Sequence, residues 1–255
     1  MNITMLGVGN GFSPKVYDNN ALIEYDGHCT LIDCGTTAWW SLDALSGKRE
    51  EIDSIFITHL HFDHSGGLES AALYSRYITQ KKIRLILPAE IEQKVWNDTL
   101  KDNIQYEAEG IKGLRDYFEI CTPKENETFP LCGTLKARWF RTKHVEGKFS
   151  CGLVIDDYFC YTSDMICDLP LLLKLVQDGV SVIFHDCQLH GKAVVHADFN
   201  ELKKYPDFLQ EKMFLMHHGL PDESQAPDSG KMRFVYQHRL MKFGGTEDDE
   251  HNRKN

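Results

Sequence analysis

The feature that most constrains this chain is a six-residue run, His59-Leu60-His61-Phe62-Asp63-His64, set directly behind a short apolar stretch, residues 54–58. A stretch of that length and composition is strand-sized, and helical periodicity over residues 66–79 follows Ser65-Gly66-Gly67, so four ligand-type side chains crowd one turn at the end of a rigid element. Residues two apart on extended backbone point the same way, which groups His59 with His61. Asp63 and His64 come from the turn and can face a second ion. Imidazole and carboxylate suit Zn²⁺ and also Mn²⁺ or Fe. Surface histidines behind a helix cap would account for Asp63 alone, but not for four such residues in six.

Further strand-sized apolar stretches lie at residues 3–6, 21–25, 30–32, 83–87, 135–140, 151–155, 158–162, 180–185 and 212–216. Helical periodicity returns at 89–100 and at 169–177, the latter behind a Cys-Asp start signal. Strands at both ends with helices between them predict an α/β fold of two sheets packed face to face and covered by helices, a four-layer αββα sandwich. We expect one domain over residues 1–243 and a disordered charged tail over 244–255. The polar stretch 99–109 fits neither periodicity and is a candidate lid.

Charge and cysteine usage bound the partners. A net charge of −10 makes long-range attraction to RNA, DNA or an anionic membrane weak or repulsive, so stable nucleic-acid binding is not expected. No apolar run approaches the ~18 residues of a membrane span, and no export signal is visible. The eight cysteines form no CxxC pair, which argues for reduced thiols and a cytoplasmic setting. The GVGNG run near the start lacks the Lys-Ser/Thr of a phosphate loop and carries no nucleotide-cofactor claim.

The segment THLHFDHSGG resembles the HxHxDH signature of the metallo-β-lactamase superfamily, and the similarity runs on in order along the chain. LGVGNGFSP and NNALIEYDGHCTLIDCG, with Asp33 at a strand end, resemble the start of the tRNase Z-like branch. TKH then carries His144, YTSD carries Asp164 and LMHH carries His217. The resemblance implies that His59, His61, Asp63, His64, His144, Asp164 and His217 hold two divalent ions, zinc or manganese, with Asp164 bridging. His218 stands beside His217 as the alternative last ligand. FHDCQLHGKAVVHADFNEL resembles the branch's further motif, with Asp186 near the acid position and His196 as the catalytic histidine. It departs from the usual pattern in having Asp for Glu and Ala-Asp for Ser-Thr, which leaves the Asp186–His196 pairing open, and His196 as a plain helix-start residue is the bland alternative. Asp33 reads as an orienting carboxylate behind the ligands, or as a turn aspartate. His28, His185, His190, His238 and His251 read as structural or solvated, and Trp39 and Trp40 as packing residues.

Two divalent ions outweigh two carboxylates and a hydroxide, which leaves the site locally positive and suited to an anionic phosphodiester. No Gly/Pro-rich basic insertion that could grip tRNA is visible, so a small phosphodiester is the better substrate. Over LGVGNGFSPKVYDNN the chain most resembles the phage anti-Pycsar proteins. That similarity implies hydrolysis of 3′,5′-cyclic mononucleotides (cCMP and cUMP, with cAMP and cGMP) to 5′-monophosphates, in the host cytoplasm, cancelling a bacterial immune signal. It also implies a homodimer in which a loop of one protomer covers the other's site. Residues 103–120 are the candidate loop, and Tyr106 in it the candidate base-stacking residue. The alternatives are an RNA 3′-processing endonuclease of the tRNase Z type, or a lactone or thioester hydrolase on the same ligands.

Overall fold

The computed structural model describes residues 1–45 and 47–244. The tail expected over 244–255 therefore lies, past its first residue, outside the described residues.

The chain first lays down β1 (Asn2–Met5), β2 (Ala21–Tyr25), β3 (His28–Ile32), β4 (Ile52–Phe56), β5 (Arg84–Ile86) and β6 (Glu119–Cys121). It then builds a second sheet from β7 (Phe129–Cys132), β8 (Leu135–Arg141), β9 (Cys151–Ile155), β10 (Phe159–Tyr161), β11 (Val182–Asp186), β12 (Met213–Met216) and β13 (Arg233–Phe234). Last, β14 (Leu240–Lys242) returns to pair with β1. The two seven-stranded sheets run β14-β1-β2-β3-β4-β5-β6 and β13-β12-β11-β10-β9-β8-β7. Helices α1 (Ala38–Ala44), α2 (Phe62–Ser65), α3 (Leu68–Tyr74), α4 (Ala89–Lys94) and α5 (Lys101–Ile104) follow strands of the first sheet, and α6 (Leu169–Gln177), α7 (Phe199–Leu202) and α8 (Asp207–Gln210) those of the second.

The apolar pattern explains the layering. Phe56 on β4 packs between the sheets while its neighbours Ile55 and Ile57 pack under the helices, the period-2 alternation of a strand buried on both faces. Phe184 on β11 does the same, with Ile183 turned toward the second helical layer. Between the sheets Phe184 sits 4.9 Å from Phe159, 5.4 Å from Phe214 and 5.8 Å from Phe243, centroid to centroid. Trp39, Leu42, Leu68 and Ile91 cover the first sheet, and Leu172, Leu175, Leu202 and Leu209 cover the second. This is the four-layer αββα arrangement.

The segment 99–109 differs from the expected lid. Leu100 and Ile104, four apart, are both buried in the first helical layer, so the chain stays helical through α5 and then makes a short 3₁₀ turn at Glu107–Glu109 closed by Gly110 at φ 76°. All eight cysteines are free thiols. No described helix is long and apolar enough to cross a membrane.

The topology also fixes where chemistry can occur. Pairs β3–β4, β4–β5, β10–β11 and β11–β12 are parallel, so their carboxyl ends emerge along a common edge, where open α/β sheets hold their ligands.

Candidate metal centre

Asp33 follows β3, His59 lies three residues beyond β4 and Asp164 three beyond β10, Asp186 ends β11 and His217 follows β12. The turn into α2 adds His61, Asp63 and His64, and the β8–β9 connection adds His144. Residues up to 184 positions apart in sequence thus meet because parallel strands deliver them to one edge. Three of the turns involved are left-handed at non-glycine residues: Asp33 at φ 64°, Ser163 at φ 53° and His217 at φ 63°.

The donors fall into two sets. His59 Nε2 lies 3.0 Å from His61 Nδ1, which lies 3.1 Å from His144 Nε2. His59 Nε2 and His144 Nε2 are each 3.7 Å from Asp164 Oδ2. The other oxygen, Asp164 Oδ1, lies 3.3 Å from His64 Nε2 and 3.6 Å from His217 Nε2. Those two nitrogens are 3.7 and 3.6 Å from Asp63 Oδ2. Donors placed ~2.1 Å around a tetrahedral ion stand about 3.4 Å from one another, so each set has the spacing of one coordination shell. Asp164 offers one oxygen to each.

Burial tests the fit independently. His64 Nε2, His217 Nε2 and Asp164 Oδ1 are buried atoms with no hydrogen-bond partner among the described residues. Such orphans are expensive unless something else satisfies them. A cation does, and the donor set fits divalent ions.

The opposite ring nitrogens of His59, His64 and His144 are engaged by hydrogen bonds and that of His217 faces a carboxylate, which orients these four rings. His64 Nδ1–H donates to Asp33 Oδ2 at 2.7 Å, and His144 Nδ1–H to the Val195 carbonyl at 2.6 Å. His59 Nδ1 meets Thr58 Oγ1 at 3.0 Å, and His217 Nδ1 lies 3.4 Å from Asp186 Oδ1. Asp33 is fully buried and also accepts from the Thr58 amide at 2.8 Å. Asn20, buried at the same edge, donates to the Asp63 carbonyl at 3.0 Å and accepts from the Gly35 amide at 2.8 Å, tying the α2 turn to the β3 end. No spacing in the sequence pointed to Asn20, because an amide bridging two backbones leaves no periodic trace.

Electrostatics follow the same division. Burial pushes His59 well below the ordinary histidine value. His64 is as deeply buried, yet the Asp164 and Asp33 carboxylates outweigh that burial and hold it well above. Burial also opposes the charge on His217, and Asp164 with the hydrogen-bonded Asp186 and Asp63 overcomes it, carrying His217 up to about 10. Asp63, despite burial, is drawn down to about 2 by its hydrogen bond from His217 and the charge of His64. A field that strong for protons is equally strong for cations, which must displace those protons to bind.

Beside the donor sets, His196 Nδ1–H donates to Asp186 Oδ2 at 2.9 Å, and the same oxygen accepts from the Met165 amide at 3.0 Å. Burial disfavours the imidazolium of His196, but the Asp186 bond and charge raise its pKa above the ordinary value. His218 points elsewhere. Its Nε2–H donates to the Val235 carbonyl at 2.9 Å and its Nδ1 accepts from the Leu220 amide at 3.0 Å, so both nitrogens are spent and His217 alone of the pair reaches the donor sets. Tyr106 is partly exposed on the first helical layer and does not line the cavity of about 400 Å³ that opens beside His59, His61 and His144.

Residues 1–241 match the family described as Anti-Pycsar protein Apyc1. An Anti-Pycsar protein Apyc1 of Paenibacillus xerothermodurans is 37% identical over 244 residues, covering 95% of this chain and 98% of that one. One from Bacillus phage vB_BsuM-Goe3 is 35% identical over 255 residues, covering 93% and 96%. Among solved structures, the short form of human tRNase Z superposes with a TM-score of 0.67 at 17% identity, over 95% of this chain and 98% of that chain, a likeness of metallo-β-lactamase fold. With two sheets, one parallel-strand edge and a full-length match at such identity, the chain belongs to the anti-Pycsar protein Apyc1 family.

Proposed function

We propose that residues 1–243 form a metal-dependent phosphodiesterase that hydrolyses 3′,5′-cyclic mononucleotides (cCMP and cUMP, with cAMP and cGMP) to 5′-monophosphates, and so counters Pycsar immunity in the host cytoplasm. The observation that carries the reading is a pair of donor sets sharing Asp164, with the His196–Asp186 pair alongside. His59, His61, His144 and Asp164 would hold one cation, and Asp63, His64, His217 and Asp164 the other, zinc or manganese by donor chemistry. When bound, such ions supply a water of lowered pKa and offset the charge of the attacked phosphate.

The chain's own residues do the rest. Asp33 and Asp186 hold the His64 and His217 rings with Nε2 inward. Asp186 also takes the Nδ1–H of His196, so that the other nitrogen carries the proton that the departing 3′-oxygen needs. The hydrogen bond to Asp186 and its charge favour the protonated ring of His196 over burial, which opposes it. Loss of the 3′-oxygen leaves a 5′-monophosphate. The names of the family's members support the counter-defence role, and within residues 103–120 the exposed run from Tyr106 to Gly110, rather than the buried Tyr117 and Phe118, is the part that would reach a partner's cleft in a homodimer.

The test is incubation with the four cyclic nucleotides plus Zn²⁺ or Mn²⁺, read by chromatography. We expect 5′-monophosphates. His196→Ala should lower kcat for cCMP about 10²–10⁴-fold with metal content unchanged, and slow bis-p-nitrophenyl phosphate far less, because p-nitrophenolate leaves without a proton. Equal slowing of both substrates would remove His196 as the acid. Full activity on cCMP from a sedimentation monomer would remove the shared loop.

A further inference from the structure

The cavity beside the first donor set has walls whose chemistry the hydrolytic step does not use. One wall is the β8–β9 hairpin, residues 142–150, which carries His144 and, beyond Gly147, Lys148 and Phe149. Its base is cross-linked: the Thr142 amide donates to the Ser150 carbonyl at 3.1 Å, and the two hydroxyls meet at 2.6 Å. The opposite wall is the helical stretch that runs from α4 through a π-turn at Val95–Leu100, and it presents Ile91, Lys94, Asp98 and Thr99. π-turns of this kind recur at functional sites.

Phe149 is half-buried and held from two sides. The Arg141 guanidinium lies 4.7 Å from its ring centroid and is itself fixed by Glu90 at 2.7 Å and Glu125 at 3.8 Å. The Trp139 ring meets Phe149 edge to face at 5.6 Å. What Phe149 leaves uncovered lines the cavity, a pre-positioned aromatic surface that loses little entropy on binding. Lys94 and Lys148 are exposed and form no ion pair among the described residues, and Asp98 is the one carboxylate among the residues that line the cavity. An aromatic ring and two lysines without an ion pair, on the walls of a cavity that His59, His61 and His144 also line, match a nucleotide: a π-system tethered to an anion.

We infer that this cavity is the nucleoside subsite, in which Phe149 stacks on the base, Lys94 and Lys148 draw in the phosphate, and Asp98 and Thr99 offer hydrogen-bond partners to the sugar or base edge. It rests on the phosphodiesterase reading for the identity of the substrate. Stacking tolerates every base, so the subsite accounts for breadth across cyclic pyrimidine and purine nucleotides.

The experiment is isothermal titration of the zinc-loaded protein with cytidine 5′-monophosphate, adenosine 5′-monophosphate and ribose 5-phosphate. Phe149→Leu should weaken both nucleotides about tenfold and leave ribose 5-phosphate unchanged, while Phe149→Tyr should bind all three like the wild type. Lys94→Gln with Lys148→Gln should weaken all three ligands and flatten the salt dependence. Elemental analysis of each variant checks that zinc is retained. If Phe149→Leu binds both nucleotides as the wild type does, or loses ribose 5-phosphate in step with them, the subsite is refuted. Nucleotides bound through Phe149 by a protein that turns over no cyclic nucleotide would sink the phosphodiesterase and leave the subsite standing.

Discussion

Replacing Asp33 by Asn tests how much of the centre is built by residues that never touch an ion. Asp33 Oδ1 accepts from the Thr58 amide at 2.8 Å, and Oδ2 accepts from Thr58 Oγ1 at 2.9 Å and from His64 Nδ1–H at 2.7 Å. Asparagine fits the φ of 64°, since it is the residue after glycine that best tolerates left-handed backbone. It can keep the amide bond through its own carbonyl, but its NH₂ then faces His64 Nδ1. Two donors cannot share that contact, so the His64 proton moves to Nε2, the atom aimed at the cation. A charge-assisted buried hydrogen bond is worth about 1.5–3 kcal/mol, which corresponds to the ~10–100-fold loss of metal affinity typical when such a supporting partner is removed. Zinc titration against a chromophoric competitor should show one site weakened by that factor in Asp33→Asn and the other, built on His59, His61 and His144, nearly unchanged. Two sites as tight as in the wild type would refute the orienting role, and loss of both together with the folding transition would make Asp33 structural instead.

Three further outcomes follow from the geometry. Asp164→Ala should abolish binding at both positions while Asp63→Ala leaves one ion per chain, a contrast that elemental analysis reads directly. At Gly35 an added Cβ would stand 1.9 Å from the Asp63 carbonyl oxygen, which Asn20 holds in place. Gly35→Ala should therefore cost about 2 kcal/mol and lower Tm by ~5 °C, weakening the Asp63–His64 site as it does so. His218 is buried with both nitrogens committed to the neutral form and its pKa is pushed down to about 4, so the unfolded chain takes up that proton first. Its contribution to stability is complete above about pH 6.5 and falls as pH drops toward 4, by about 3 kcal/mol in all. Urea unfolding in EDTA at both ends of that window, with His218→Gln as reference, should show the gap between the two proteins closing by that amount, and a constant gap would contradict it.

The parts of the molecule legible in the sequence are those whose signal is local. β4 and the turn behind it announce themselves because an apolar stretch ends in four ligand-type residues, and α6 because Asp168 accepts from the Leu171 amide ahead of an apolar helix. β6, β13 and β14, two or three residues each, were not legible. β7 was masked by Pro130, which an edge strand tolerates. The polar surface of residues 99–104 suggested a loop because the two buried anchors, Leu100 and Ile104, are outnumbered by solvated neighbours. In the site, residue types could be read but their partners could not. The bond from His144 to the Val195 carbonyl spans 51 positions, and the place of Phe149 under Arg141 depends on a hairpin whose closure involves two side-chain hydroxyls.

The three left-handed residues at the strand ends set a limit on how far this protein can be stabilised without changing what it is. Non-glycine backbone in that region costs on the order of 1–2 kcal/mol per residue. Glycine at Asp33 or His217 would relax the turn and delete the side chain that the turn exists to present. Only at Ser163, whose hydroxyl meets Thr58 Oγ1 at 2.8 Å and is no donor to either set, can an engineer exchange strain for stability. A search for thermostable variants should return glycine at 163 and avoid it at 33 and 217, the trade-off between stability and activity falling on neighbouring turns with opposite sign.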